Sequence, residues 1–280
     1  MTDISAVSRR IGRLRLPSLP LTLGIAIVLF WLLATVAAPL MTQYSPVDMV
    51  ARRLQAPSWQ HWLGTDALGR DVMTRTLYGA MHSIPIAVLV VTVSVSIGAL
   101  LGAISGFFGG FVGAAIMRLV DITLSFPPML LAMAVAASLG PGLSNAAIAM
   151  VIVWWPVYAR LMRAQVLEVR EREHVEAAVA SGATQGRVLF KHILPLCWTP
   201  VLISATMDLG QVILLAASLS FIGLGATPPT PEWGSMIADG ASQFYSWWVA
   251  MGPGLAILTI VLGFNFIGDG LRDYFDPRGK

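Results

Sequence analysis

Charge is what this 280-residue chain has least of: Asp, Glu, Lys and Arg make up 12% of it, where a soluble domain carries about a quarter. Hydrophobic residues make up 56%, too many for a water-soluble fold to keep inside, so the expected solvent is the bilayer. Cysteine is almost absent. Cys197 alone cannot close an internal disulfide, and no CxxC or Cys/His metal-ligand spacing exists. The four histidines, His61, His82, His174 and His192, fall in different segments and read as surface or interface side chains, not as a metal site. No GxxxxGK[ST] is present to cradle phosphates, and neither GxSxG nor HExxH occurs. These gaps leave no nucleotide site, hydrolytic site, metal or cofactor to expect in the chain, and no catalytic residue. The small positive net charge of +3 fits loops on the cytoplasmic side of a membrane better than nucleic-acid binding.

What is present is a series of apolar runs. Six can be marked, at about Leu21–Leu40, Ser83–Phe107, Ala114–Leu139, Leu143–Leu161, Cys197–Leu219 and Trp247–Ile267. Each is near the ~20 residues that cross ~30 Å of hydrocarbon. The first follows Arg9, Arg10, Arg13 and Arg15, as a signal peptide would, but its run is too long for one and more spans follow, so it reads as a retained helix. With the N-terminus inside, the inner segments also hold Arg163, Arg170, Arg172, Arg187, Lys191, Arg272, Arg278 and Lys280. The outer ones hold only Arg52, Arg53, Arg70 and Arg75. Positive residues favour the cytoplasm, so both termini are expected there. Residues 1–82 read as a tail, first span and outer loop, and residues 83–280 as a five-helix core. Gly98, Gly102 and Gly106, four apart, share one helix face and invite close approach of a neighbouring helix.

Between the fourth and fifth runs the chain turns hydrophilic. Residues 164–192 have helix-forming composition, with Glu168 and Arg172 as an i, i+4 pair. Gly182 is placed to end one helix, Thr184 to begin another, and Pro195 to mark the entry into the fifth span. Ala177, Ala178, Ala180 and Ala183 make a small-residue face that admits a close partner. An amphipathic loop lying on lipid is the plain alternative. Small alanines insert weakly, however, and Glu168, Glu171, Glu173 and Glu176 suit an anionic leaflet poorly.

Glu176-Ala177-Ala178, then Gly182, then His192-Ile193-Leu194-Pro195 resembles the EAA loop of binding-protein-dependent ABC importer permeases. The segments His61–Ala80, Met117–Met133, Ala217–Gly240 and Gly268–Arg278 resemble the dipeptide, oligopeptide and nickel branch, closest to the C-type subunit that pairs with a homologous second permease. Two positions depart from the pattern: Met81-His82 follow "YGA" where an arginine is usual, and Ala216 stands where many members have glutamate. The resemblance implies an all-α, polytopic fold of six transmembrane helices, the type I ABC importer permease fold, in the bacterial inner membrane. It implies that Glu176, Ala177, Ala178, Gly182, Ile193, Leu194 and Pro195 form the coupling element for an ATPase. It further implies a heterodimeric second permease, two cytoplasmic ATPase subunits that bind ATP and magnesium, an extracytoplasmic binding protein, and surrounding lipid.

Asp208 lies well inside the fifth run with Gln211 three residues on, and the resemblance puts that span beside the translocation path; a buried hydrogen bond to a neighbouring helix is the structural alternative. Asp121 and Arg118, one turn apart, are expected to pair. Trp154, Trp155, Tyr158, Tyr245, Trp247 and Trp248 cluster near span ends and read as interfacial anchors. The expected function is therefore ATP-driven import of di- or oligopeptides, with nickel chelates or opine-like molecules as alternative cargo. An ion-driven secondary transporter would show internal repeats and several intramembrane charges, and a scaffold would not need the matched loop.

Overall fold

The computed structural model describes residues 19–275. The tail arginines Arg9, Arg10, Arg13 and Arg15, together with Arg278 and Lys280, lie outside the described residues, so the charge asymmetry they contribute to has no structural counterpart here. The described chain is helical: α1 (Leu19–Met41), α2 (Val72–Phe108), α3 (Gly110–Leu124), α4 (Pro128–Leu139), α5 (Leu143–Arg170), α6 (Glu173–Ala180), α7 (Gln185–Arg187), α8 (Leu194–Phe221), α9 (Trp233–Ala241) and α10 (Trp248–Phe275). A π-helical turn, Val188–Ile193, joins α7 to α8. Pro195 has no N–H to donate, and Leu194 N–H instead reaches back to the Leu189 carbonyl, the wider π spacing.

Among the described residues five helices are long and apolar enough to span a membrane, and α3 with α4 makes a sixth only as a bent pair. The third expected span is thus corrected: it breaks at Ser125-Phe126-Pro127, and the two halves meet at 91°. The cause is local. Phe126 and Pro127 each precede a proline, which pushes both out of the helical region, while the Ser125 hydroxyl donates to the Asp121 and Ile122 carbonyls of the turn it ends. The second span also begins earlier than its hydropathy suggested, at Val72 rather than Ser83, because Asp71 caps it by accepting from Thr74 N–H.

α2 is the central post. Its glycine face does what its spacing announced: a Cβ on Gly98 or Gly102 would collide with the Trp155 or Ala159 carbonyl of α5, and one on Gly106 would lie 3.0 Å from Val166. α1 packs along α10, where Trp31 Nε1 donates to Thr259 Oγ1 at 2.9 Å. α8 sits among α2, α5 and α10. One continuous apolar core runs from Trp233 at one end, through Met150, Tyr158 and Met162, to Val175 and Val188 beneath α6 at the other.

Candidate functional site: the α6 loop and the membrane face

The α5–α8 connection is built as the residues announced, with finer breaks. Residues 164–192 are not one helix: α5 stops at Arg170 and α6 restarts at Glu173. Glu168 and Arg172 do pair, at 2.9 Å. α6 ends in a Schellman motif. Gly182 N–H donates to the Val179 carbonyl at 2.9 Å and Ala183 N–H to the Ala178 carbonyl at 3.1 Å, and Gly182 has φ +81°. A side chain rarely adopts that conformation, which is why glycine stands there. Thr184 then caps α7, its hydroxyl accepting from Arg187 N–H. α6 has a single buried side chain, Val175, which belongs to the same apolar cluster as Val188 and Leu189 of the π turn. Glu176 and Ala177 face outward, Ala178 is half-buried, and Gly182 has no atom within 4 Å of where its Cβ would be. Of the remaining loop residues, Ile193 is buried, Leu194 is half-buried and Pro195 is exposed. A groove of about 560 Å³ runs beside α6, lined by Phe107, Phe108, Val175, Glu176, Val179 and Val188, among others. Arg170 closes its back wall by donating to the Phe107 carbonyl at 3.2 Å.

Within the bundle, Asp208 accepts a 2.7 Å hydrogen bond from the Tyr158 hydroxyl. Tyr158 is fully buried, which corrects its assignment as an interfacial anchor. Gln211 is exposed on α8. Asp121 does not pair with Arg118. Its partner is Arg160 of α5, at 2.6 Å, with both side chains more than half exposed.

The opposite end of the bundle holds a network the sequence did not reveal. Asp66 receives Arg70 Nε at 2.6 Å and Arg75 Nε at 3.5 Å, and Arg70 also approaches Asp239 of α9 at 3.6 Å. His61 is not a surface side chain: it is buried, with Nδ1 2.9 Å from the Asp71 carboxylate. Glu232 caps α9 through Gly234 and Ser235 N–H, and Trp233 Nε1 donates to the Thr76 carbonyl. The only local hint was the i, i+4 spacing of Asp66 and Arg70. Among the described residues no group of His, Cys, Asp and Glu is placed to hold a metal.

A hydrophilic helix held out from an apolar bundle by one valine and a glycine stop is the arrangement that the loop motif describes. Residues 98–280, more than half of the chain, match the family described as the binding-protein-dependent transport system inner membrane component. The chain belongs to this family. It is 45% identical over 259 residues to the dipeptide transport system permease protein DppC of Alkalihalophilus pseudofirmus, covering 92% of this chain and 85% of that one. It is 48% identical over 266 residues to the dipeptide transport system permease protein DppC of Escherichia coli K12, covering 92% and 88%. Among solved structures, the inward-facing MetNI methionine ABC transporter matches with a TM-score of 0.61 at 19% identity, over 73% of this chain and 98% of that one, a likeness of fold. The protein is thus a multi-pass inner-membrane permease subunit of the ABC importer class, and is not itself an enzyme.

Proposed function

We propose that the chain forms one half of the path through which an ATP-driven importer carries dipeptides, and that α6 with its glycine stop transmits the ATPase's movement to the bundle. The dipeptide relatives support the cargo. The observation that carries the coupling role is α6 itself, whose outward Glu176 and Ala177 and empty space around Gly182 leave a partner free to approach closely. Its partners are a homologous second permease, two ATPase subunits that bind ATP and magnesium, an extracytoplasmic binding protein, and the lipid around it.

The mechanism follows from how α6 is attached. The chain passes from α5 through α6 and the π turn directly into α8, so a push on α6 acts on both helices at once. These two are tied by the Tyr158–Asp208 hydrogen bond, and α5 is locked to α2 by the glycine face. A movement imposed on α6 therefore rocks α2, α5 and α8 together, and alternating access is that rocking against the second permease. Asp208 and Gln211 border the path in this account. Both termini and α6 lie in the cytoplasm, in accord with the Lys/Arg asymmetry. Deleting the gene for this chain should abolish uptake of a labelled dipeptide and leave uptake of free amino acids unchanged. Retained dipeptide uptake together with lost uptake of a nickel chelate would transfer the cargo to that class.

A further inference from the structure

Two cavities adjoin at the end of the bundle away from α6. One, of about 490 Å³, lies where the first apolar run ends and is lined by Thr42, Gln43, Tyr44, Trp59, Gln60 and Asp71, among others. The other, of about 600 Å³, runs down between α1, α2 and α10, where Leu23, Ala26, Phe30, Leu77, Leu255 and Thr259 are among its walls. Trp62 and Met73 line both. The depth of the lower groove follows from the runs that hold it: its α1 residues fall within Leu21–Leu40 and its α10 residues within Trp247–Ile267. α1 and α10 are antiparallel, with Gly24 against Gly263 and Trp31 bonded to Thr259. From the Trp31 level, Leu23 lies eight residues toward the α6 end and Gly252 seven residues the other way, so the groove is about 22 Å long. A volume of about 600 Å³ spread over that length is a slot narrower than the ~10 Å body of a helix, so no helix of a second permease enters it. One acyl tail, which needs ~15 Å to reach the middle of a ~30 Å core, does. The hydroxyls along the slot are already used: Thr76 donates to the Val72 carbonyl, and Thr259 donates to the Leu255 carbonyl while accepting from Trp31.

We propose that the two cavities hold one phospholipid with an ammonium headgroup, drawn from the leaflet on the side away from α6, with a tail in the groove and the headgroup in the polar cavity. Among the described residues that line that cavity, Asp71 is the only one with a formal charge, so the cavity favours a cation over an anion. One Asp71 oxygen accepts from Thr74 N–H and the other lies 2.9 Å from His61, which fixes the carboxylate in place. Tyr44, Trp59 and Trp62 add ring faces, which attract ammonium groups. Trp59 and Trp62 are 96% and 64% exposed, free to lie against a headgroup. The exposed amides of Gln43 and Gln60 supply donors for the phosphate. Phosphatidylethanolamine carries ammonium, phosphate and tail in that order, whereas phosphatidylglycerol lacks the cation. The bound tail has a mechanical consequence. α1 packs on α2 through a small cluster of Ala34, Ala38 and Leu77, and the tail fills the space beside it, bracing α1 against α2 and α10. None of this depends on which cargo the transporter carries.

The test uses the assembled transporter with its partner permease and ATPases, stripped of lipid in detergent and offered phosphatidylethanolamine or phosphatidylglycerol with the same tails. Native mass spectrometry counts the lipid retained. Wild type should hold phosphatidylethanolamine roughly tenfold better than phosphatidylglycerol. Trp59→Ala should weaken that retention by roughly two- to fivefold, the worth of one exposed cation–π contact. Asp71→Asn keeps a good N-cap and removes the charge, so it should erase the preference between headgroups. Ala26→Trp, at an exposed position, fills the groove and should lose both lipids. If Asp71→Asn fails to assemble, Trp59→Ala and Ala26→Trp decide. Equal retention of the two headgroups by wild type, retention of neither, or full retention by Ala26→Trp would overturn the proposal. A second measurement identifies the occupant in intact membranes. Leu255, 52% exposed on the groove wall, is replaced by the photo-crosslinking residue p-benzoylphenylalanine. An adduct of phospholipid mass supports the site; an adduct to the second permease, or none, overturns it.

Discussion

Gly182 offers the sharpest perturbation, because its two functions separate by substitution. Its φ of +81° disfavours any side chain, and its Cβ position is empty to 4 Å within the chain. A Cβ residue held in the left-handed region costs about 1–2 kcal/mol, and asparagine tolerates it far better. If Gly182 is only a helix stop, the order of damage follows backbone cost alone: valine worst, alanine intermediate, asparagine near wild type. At about 1.4 kcal/mol per tenfold, alanine would then move the loop's occupancy of its native shape by about five- to thirtyfold. If an ATPase lies against this spot, the empty space is the partner's surface, and asparagine fails as badly as valine despite its cheap backbone. The assay is recovery of ATPase subunits with affinity-tagged permease from detergent-solubilised membranes, read beside uptake in the same cells. We expect the asparagine and valine variants to reach the membrane at wild-type levels, to lose the ATPases, and to import nothing. Asparagine at wild-type level in both readouts would refute docking at Gly182, and all variants active would refute the coupling role of the loop.

Tyr158→Phe removes the donor to Asp208 and should cost about 1.5–3 kcal/mol of stability, measured as a lower thermal midpoint of the purified complex. Asp208→Asn keeps an acceptor for Tyr158, so a large loss of transport at unchanged stability places Asp208 at the path, and a loss of stability alone makes it a strut. Gly102→Leu drives a side chain into the Ala159 backbone and should destabilise the α2–α5 contact by about 3 kcal/mol, seen as reduced membrane yield; normal yield would contradict the close packing. A reporter active only outside the cytoplasm should be active when fused after Gly240 and silent after Gly186, and the reverse would invert the topology.

The legible parts of this molecule were those governed by short spacings. The stop at Gly182, the cap at Thr184, the pairing of Glu168 with Arg172 and the glycine face of α2 all depend on residues within a turn or two of one another, and all stand in the structure. Hydropathy hid the first eleven residues of α2. Arg75 and the threonines beside it look like loop, yet Arg75 is satisfied by the Asp66 carboxylate and the Pro46 carbonyl, and the helix begins where Asp71 caps it. Asp121 had a partner of the right charge one turn away, and the cross-helix geometry to Arg160 won instead. The contact of Glu232 with Ser83 joins residues far apart in the chain, which no local pattern can announce. The bend after α3 was signalled by Pro127-Pro128 and was outweighed by the continuous apolar composition around it.

The central claim is that this chain carries peptides on energy supplied by ATP through its partners. Proteoliposomes containing the chain, its second permease and the ATPases, with binding protein and a labelled dipeptide on one side and ATP on the α6 side, test it directly. The account expects accumulation that requires ATP and this chain, and that persists when proton and sodium gradients are collapsed. Uptake driven by an ion gradient without ATP, or undiminished when this chain is left out, would contradict it.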